Sequence, residues 1–197
     1  LINTHGIDCE IINHDKSEHK EKITAENNQE TFGNLSSLLK CFEVAKKDQS
    51  DLIYFVEDDY LHYEHSLVDM LNTYERVSSQ HKDEIIVCPS DYPFNYMNNE
   101  KTNILIGSQQ HWRTITKMLC TFMISKKMFQ KHIDNFEKTC EKRHEPFEKY
   151  LNKILESEIG ISPIKSLAIH MTNVNSSYGL SPFIDIKKLW EENKIGQ

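Results

Sequence analysis

The sequence predicts a single α/β domain over residues 1–197, in which helices flank a mainly parallel central sheet. Short runs of β-branched and aromatic residues without polar alternation occur at 52–56 and 84–88, and such runs are typical of strands buried on both faces. Segments with apolar residues at helical spacing separate these runs, and strands that alternate with helices favour a parallel sheet. A chain of 197 residues is long enough to form one hydrophobic core.

The individual elements follow from the same periodicity, taken in chain order. The first half of the chain predicts a strand at 7–13, a helix at 34–46 that starts at Gly33-Asn34, the strand at 52–56, a helix at 61–76 and the strand at 84–88. A loop at 94–103, rich in aromatic residues and asparagine, is expected to face a ligand. The second half predicts a strand at 104–106, a core strand within 117–125, a helix at 127–136, a helix from Glu145-Pro146, a strand at 166–169 and a tail helix within 181–193.

Composition excludes several classes of protein. The net charge of -7, without any basic block, argues against a nucleic-acid-binding surface. No apolar run approaches the roughly 20 residues of a membrane span, and we expect neither a transmembrane segment nor a signal peptide. The five cysteines are scattered, with no Cys-x-x-Cys pair, as is typical of reduced thiols. We therefore expect a soluble cytoplasmic protein or one domain of a longer one.

Three consecutive carboxylates, Glu57-Asp58-Asp59, directly follow the strand at 52–56. Adjacent carboxylates repel each other, so their proximity requires a cation, bound protons or open water. Carboxylate oxygens suit Mg²⁺ or Mn²⁺, which bridge to phosphate oxygens, and open α/β sheets bind ligands at the carboxyl ends of their strands. One acid here could instead cap the following helix. Capping does not explain three, so the triplet predicts a metal site for a phosphorylated ligand.

Two further residues follow predicted strands, His170 after 166–169 and Asp91 after 84–88. In a mainly parallel sheet both would share the edge that carries the acids, and Asp91 would then be a further candidate for the catalytic base beside Glu145 and Glu148. An imidazole among carboxylates favours Mn²⁺ over Mg²⁺, although His170 could equally be an ordinary loop histidine. His62 and His65 offer a rival zinc site with Asp58 or Asp59, or they are surface and packing residues of the helix.

Four other charged residues each allow two interpretations. Glu145 and Glu148 could provide a general base, or they are ordinary partners of a helix dipole. Asp15 could meet a ribose or a base, or it caps its own loop. Arg113, one of three arginines, follows a loop expected to be exposed. It could contact a pyrophosphate or an acceptor, or it stacks on Trp112.

Four segments resemble the metal-dependent, nucleotide-sugar glycosyltransferases of the GT-A fold, in the broad family-2-like group. The likeness covers about residues 7 to 185 in order and extends to the glycosyltransferase domains of large algal DNA viruses. The acid triplet is the specific part of it, as the equivalent of an Asp-x-Asp motif. The matching segments are Phe55-Val-Glu-Asp-Asp-Tyr60, Gly33-Asn-Leu-Ser-Ser37, Thr121-Phe-Met-Ile-Ser-Lys-Lys-Met-Phe129 and His170.

This resemblance implies a Rossmann-like GT-A fold and a transfer reaction. A Mn²⁺ or Mg²⁺ ion would neutralise the diphosphate leaving group of a nucleotide-sugar donor, a UDP-sugar by family habit, while a hydroxyl of a glycan or other acceptor attacks with inversion. The resemblance implies that Asp59 binds the metal directly, that Asp58 and Glu57 contact metal-bound water or ribose, and that His170 is a further metal or diphosphate ligand. It implies that Glu145, or next Glu148, deprotonates the acceptor. Contacts to the diphosphate are implied for Asn173, Asn175 and Ser176.

The chain also departs from the family pattern. The family begins with a strand and helix that hold the nucleotide base, and no such strand precedes Leu1, so we expect the domain to lack them. The usual base is an aspartate, for which Glu145 is a longer substitute. Two other hypotheses fit the same acids: a metal-dependent nucleotidyltransferase or phosphohydrolase, and a sugar- or nucleotide-binding module without catalysis.

Overall fold

The computed structural model describes residues 10–23, 28–97, 99–175 and 180–194, without the side chains of Asn173 and Asn175. Within these ranges the strands are β1 Leu52–Phe55, β2 Tyr60–His62, β3 Ile85–Val87, β4 Ile104–Ile106, β5 His111–Ile115, β6 Phe122–Ser125, β7 Ile159–Pro163 and β8 Ala168–His170. The α-helices are α1 Gln29–Lys47, α2 Ser66–His81, α3 Lys126–Lys131, α4 Ile133–Cys140, α5 Lys149–Ile154 and α6 Ile186–Glu192. Short 3-10 turns occupy Lys16–His19, Pro93–Tyr96 and Met171–Asn175. None of the helices described is both long and apolar enough to cross a membrane.

Six strands form one mixed sheet in the order β1-β6-β3-β7-β5-β4. β3 and β7 pair in parallel, whereas the other four pairs are antiparallel. The α/β class is therefore confirmed, but the prediction of a mainly parallel sheet is wrong. β1, β3 and β7 do run in the same direction, but β6 is inserted antiparallel between β1 and β3. Apolar periodicity reports burial and not strand direction, so the sequence could not indicate this insertion.

The central strands β3 and β6 are buried on both faces, whereas β1 is mostly half-buried and the edge strand β4 is largely exposed. Phe122 and Ile124 of β6 face a core shared with α1 and α4, and Met123 between them faces a second core under α2. In the first core the ring of Phe42 meets that of Phe55 edge-on, with centroids 5.2 Å apart. Because successive strand residues point to opposite faces, one short strand connects both cores. The acids follow β1, and every residue of β1 pairs with this central strand.

β2 and β8 form a separate two-stranded antiparallel sheet, in which Tyr60 is opposite His170. The helix predicted from Leu61 begins instead at Ser66, because Tyr60–His62 pairs with β8. Pairing with a distant segment overrides the local helical pattern here, as is common for short strands. This small sheet connects the acid triplet to the region around His170.

Several predicted boundaries are also corrected by the structure. The described part of the predicted strand at 7–13, residues 10–13, has no regular structure, and the helix predicted from Glu145-Pro146 begins at Lys149. β5 and β7 were not predicted. Gly160 and Pro163 interrupt the apolar pattern of β7, and polar residues dilute that of β5. Pairing with neighbouring strands stabilises β5 and β7 although their local sequences are not typical of strands.

Candidate functional site

A cleft of about 610 Å³ opens where the chain leaves β1 and passes the first half of α1. Its volume lies within the usual range for small-molecule sites. The cleft is lined by Thr31, Asn34, Ser37, Leu38 and Cys41 of α1, by Val56, Glu57, Asp58 and Asp59 after β1, and by Cys120, Arg143 and Phe147. The acid triplet therefore forms one wall of a cavity large enough for a substrate.

His170 lies directly against the last acid of the triplet. Its Nε2 atom is 2.7 Å from Oδ2 of Asp59, and its ring stacks on Tyr60 with centroids 4.8 Å apart. The backbone N–H of Met171 donates to the carbonyl of Asp59 at 2.9 Å, which extends the β2–β8 ladder. The expected proximity of His170 and the acids is thus observed. Its cause is the antiparallel ladder and not a shared edge of the main sheet.

Within the acid triplet, Glu57 is the residue whose pKa is raised most clearly. Burial, reinforced by the negative charge of Asp59, raises the pKa of Glu57 to about 7. Thr121 opposes this shift, because its hydroxyl donates to Oε2 of Glu57 at 3.3 Å while it accepts from the Glu57 backbone N–H at 3.0 Å. Asp58 between the two other acids is exposed. The carboxyl of Glu57 therefore holds its proton to a higher pH than an ordinary glutamate does.

Glu148 and Glu145 occupy different environments. Burial raises the pKa of Glu148, and the nearby His170 counteracts part of that shift. Glu148 also acts on the pKa of Glu57, so it shares the electrostatic field of the triplet. The side chain of Glu145 is 85% exposed, and its carboxylate lies 3.5 Å from Nε of Arg143. Of the two predicted bases, Glu148 is the one in the surroundings of His170.

Asp91 and Arg113 pair with each other in the protein interior and do not line the cleft. The Asp91 carboxylate lies 2.5 Å from Nη2 of Arg113, and it also accepts from the hydroxyls of Tyr96 and Ser181. Arg113 belongs to β5 and not to an exposed loop, and its guanidinium stacks on Tyr96, 4.2 Å from the ring centroid. The alternative that Arg113 stacks on Trp112 is wrong, because adjacent residues of a strand face opposite sides of the sheet.

The remaining sequence candidates fall outside the cleft. The Asp15 side chain accepts from the backbone N–H of Ser17 at 2.9 Å, which is the capping alternative. His62 is buried, and its Nε2 lies 2.5 Å from the Tyr54 hydroxyl. Among the described residues no group of three His, Cys, Asp or Glu side chains is arranged to hold a metal ion, which applies to the rival zinc site and to the acid triplet with His170 alike. Ser176 and the side chains of Asn173 and Asn175 lie outside the described structure.

The sequence assigned no functional role to Arg143, Phe147 and Thr121, which lie in or beside the cleft. Arg143 and Phe147 flank Glu145, so the candidate base could have drawn attention to them. Thr121 stood inside a matching segment but had no assigned role. Only the tertiary structure brings the segment 143–147 to the same cleft as the acids.

Comparison with protein-family models found no match for this chain, and neither did comparison with curated proteins.

Proposed function

We propose that this chain is a metal-dependent glycosyltransferase with a GT-A-like fold, which moves a sugar from a nucleotide-diphosphate donor to a hydroxyl acceptor. One observation carries the proposal: Asp59, on the wall of a substrate-sized cleft, has His170 at 2.7 Å and two further acids beside it. Asp58 and Glu57, the neighbours of Asp59 in the chain, have carboxylate oxygens of the type that Mn²⁺ and Mg²⁺ prefer, and they would have to move towards Asp59 to share an ion with it.

Asp59 and His170 are the residues that would hold such an ion. Adjacent ligands of an octahedral ion lie about 3 Å apart. Nε2 of His170 and Oδ2 of Asp59 are 2.7 Å apart in a direct contact, so they would separate slightly and the imidazole would bind the ion without its Nε2 proton. Mg²⁺-type sites use one or two carboxylates and fill their other positions with water and substrate phosphate, so a closed protein cage is not required. A bound ion would supply Lewis-acid neutralisation of the diphosphate leaving group.

The protein's own groups account for the remaining steps. Glu148 is our preferred base for the acceptor hydroxyl, with Glu145 as the alternative. A carboxylate whose pKa is raised by burial is a stronger base than one in water, and Glu148 has that property while it interacts electrostatically with His170. The α1 wall, with Asn34 and Ser37, is available to the nucleoside of the donor.

Calorimetric titration of nucleotide sugars with and without Mn²⁺ tests the binding half of the proposal. Asp59→Asn is expected to abolish Mn²⁺-dependent donor binding without changing the thermal unfolding midpoint. Asp134→Asn, an exposed acid of α4, makes the same charge change away from the cleft and should bind as the wild type does. Donor affinity retained in Asp59→Asn would overturn the proposed metal role.

Sugar-transfer assays test the catalytic half. Glu148→Gln is expected to keep donor binding and lose transfer by about 10²–10⁴-fold, the usual contribution of a general base. Unchanged transfer in Glu148→Gln together with loss in Glu145→Gln would reverse the assignment. Turnover of nucleoside triphosphates or phosphodiesters without any sugar transfer would favour the nucleotidyltransferase or phosphohydrolase hypothesis.

A further inference from the structure

The charges around the cleft are unequally divided between its walls. The β1 side carries Glu57, Asp58 and Asp59, whereas Arg143 is the one cation among the described residues that line it. The acids can hold a metal ion but repel an anion, and a guanidinium attracts one. An anionic ligand that binds the metal at the triplet therefore finds its complementary group at Arg143.

Arg143 extends from an anchored part of the segment between α4 and α5. The next residue, His144, is buried, and its Nε2–H donates to the carbonyl of Lys138 at 2.9 Å. Further along the segment, Phe147 packs against the core beneath α1. These contacts fix the backbone that follows Arg143 in the chain. A ligand therefore does not have to order this segment when it binds.

The guanidinium of Arg143 is bound only weakly by other side chains. Its one polar contact in the described structure is with Glu145, at 3.5 Å, and the two side chains are 63% and 85% exposed. Exposed pairs of this kind are weak, so Glu145 does not compete strongly with a ligand for Arg143. Five N–H donors in a planar fork match the oxygens of a phosphate group.

We infer that Arg143 is the residue that binds the β-phosphate of the donor's diphosphate, and that it makes the cleft selective for diphosphates over monophosphates. This inference rests on the proposed function and adds to it a residue and a selectivity. In the transfer, the bond between the anomeric carbon and the β-phosphate oxygen breaks, and its electron pair remains on that oxygen. The acceptor oxygen forms the new bond to the anomeric carbon and gives its proton to the base.

The leaving diphosphate thus gains one negative charge as the bond breaks. Arg143 interacts more strongly with this product-like charge than with the intact donor, which is the differential binding that accelerates a reaction. A lysine at this position keeps the charge but loses the fork, so it can replace only part of the interaction.

Calorimetry with UDP, UMP, GDP and inorganic pyrophosphate, each in the presence of Mn²⁺, tests the inference without an activity assay. Arg143→Gln is expected to weaken UDP and pyrophosphate binding roughly 10- to 100-fold, as for loss of a charge-assisted contact. UMP lacks the β-phosphate, so its affinity should change by less than about threefold. Arg143→Lys should fall between the wild type and Arg143→Gln.

Lys142→Gln is the matched control. It removes the same charge from the neighbouring exposed residue, which does not line the cleft, and should change every affinity by less than about twofold. If the wild type binds diphosphates and Arg143→Gln binds them equally well, or loses UMP to the same extent as UDP, the inference about Arg143 is wrong while the proposed function stands. If the wild type binds none of UDP, GDP and pyrophosphate with Mn²⁺, the proposed function itself fails.

Discussion

Replacing Glu57 by glutamine tests how the raised pKa of this carboxyl changes the stability of the protein with pH. The pKa of Glu57 rises from about 4.5 to about 7 on folding, mainly through burial and then through Asp59. The fold thus favours the protonated carboxyl, so the stability that Glu57 contributes is fully present below about pH 4.5 and is lost as the pH rises through 7. A shift of this size corresponds to at most about 3 kcal/mol, and screening in the open cleft reduces it.

Glutamine has the size of glutamate, does not ionise and still accepts from Thr121. In metal-free protein we therefore expect Glu57→Gln to be more stable than the wild type by about 1–3 kcal/mol at pH 8, and the difference to vanish near pH 4.5. Urea unfolding in the presence of a chelator measures both values, provided that the dependence on urea concentration is unchanged. The exposed Glu145→Gln is the control for removal of one negative charge.

Two results would contradict this reasoning. One is a Glu57→Gln variant less stable than the wild type at pH 8. The other is a stability difference that is the same at both pH values, since a titrating carboxylate cannot produce it. The expected gain in stability should be accompanied by weaker Mn²⁺ binding, because the substitution removes a carboxylate from the site.

Two further predictions concern buried groups. Burial lowers the pKa of His62 to about 4, so its contribution to stability is present above about pH 6.5 and is lost as the pH falls through 4. Over that range the wild type should lose up to about 3 kcal/mol more than His62→Gln in urea unfolding, and parallel pH profiles would refute this. Asp91→Asn leaves Arg113 buried without its counter-ion and should cost about 3–5 kcal/mol, whereas Glu100→Gln, which breaks the more exposed pair with Lys117, should cost about 1 kcal/mol or less. Equal costs in the two variants would show that burial does not decide the strength of these pairs.

The sequence by itself determined the elements whose signal is local. In the predicted helix at 34–46, Leu35, Leu39, Phe42 and Ala45 are buried because a 3.6-residue period places them on one face, whereas Leu38 of the same apolar set lines the cleft. The apolar runs at 52–56 and 84–88 became β1 and β3, and the three acids do follow β1. These features require no knowledge of distant segments.

Only the tertiary structure decided what lies next to the acids. Strand direction depends on which segments pair, and a short run of apolar residues is compatible with either direction. His170 reaches Asp59 through the β2–β8 ladder, across more than a hundred residues of chain. The same long-range packing pairs Asp91 with Arg113 away from the cleft and brings Arg143 into it. The sequence therefore located the acids, whereas contacts between distant segments determined the partners around them.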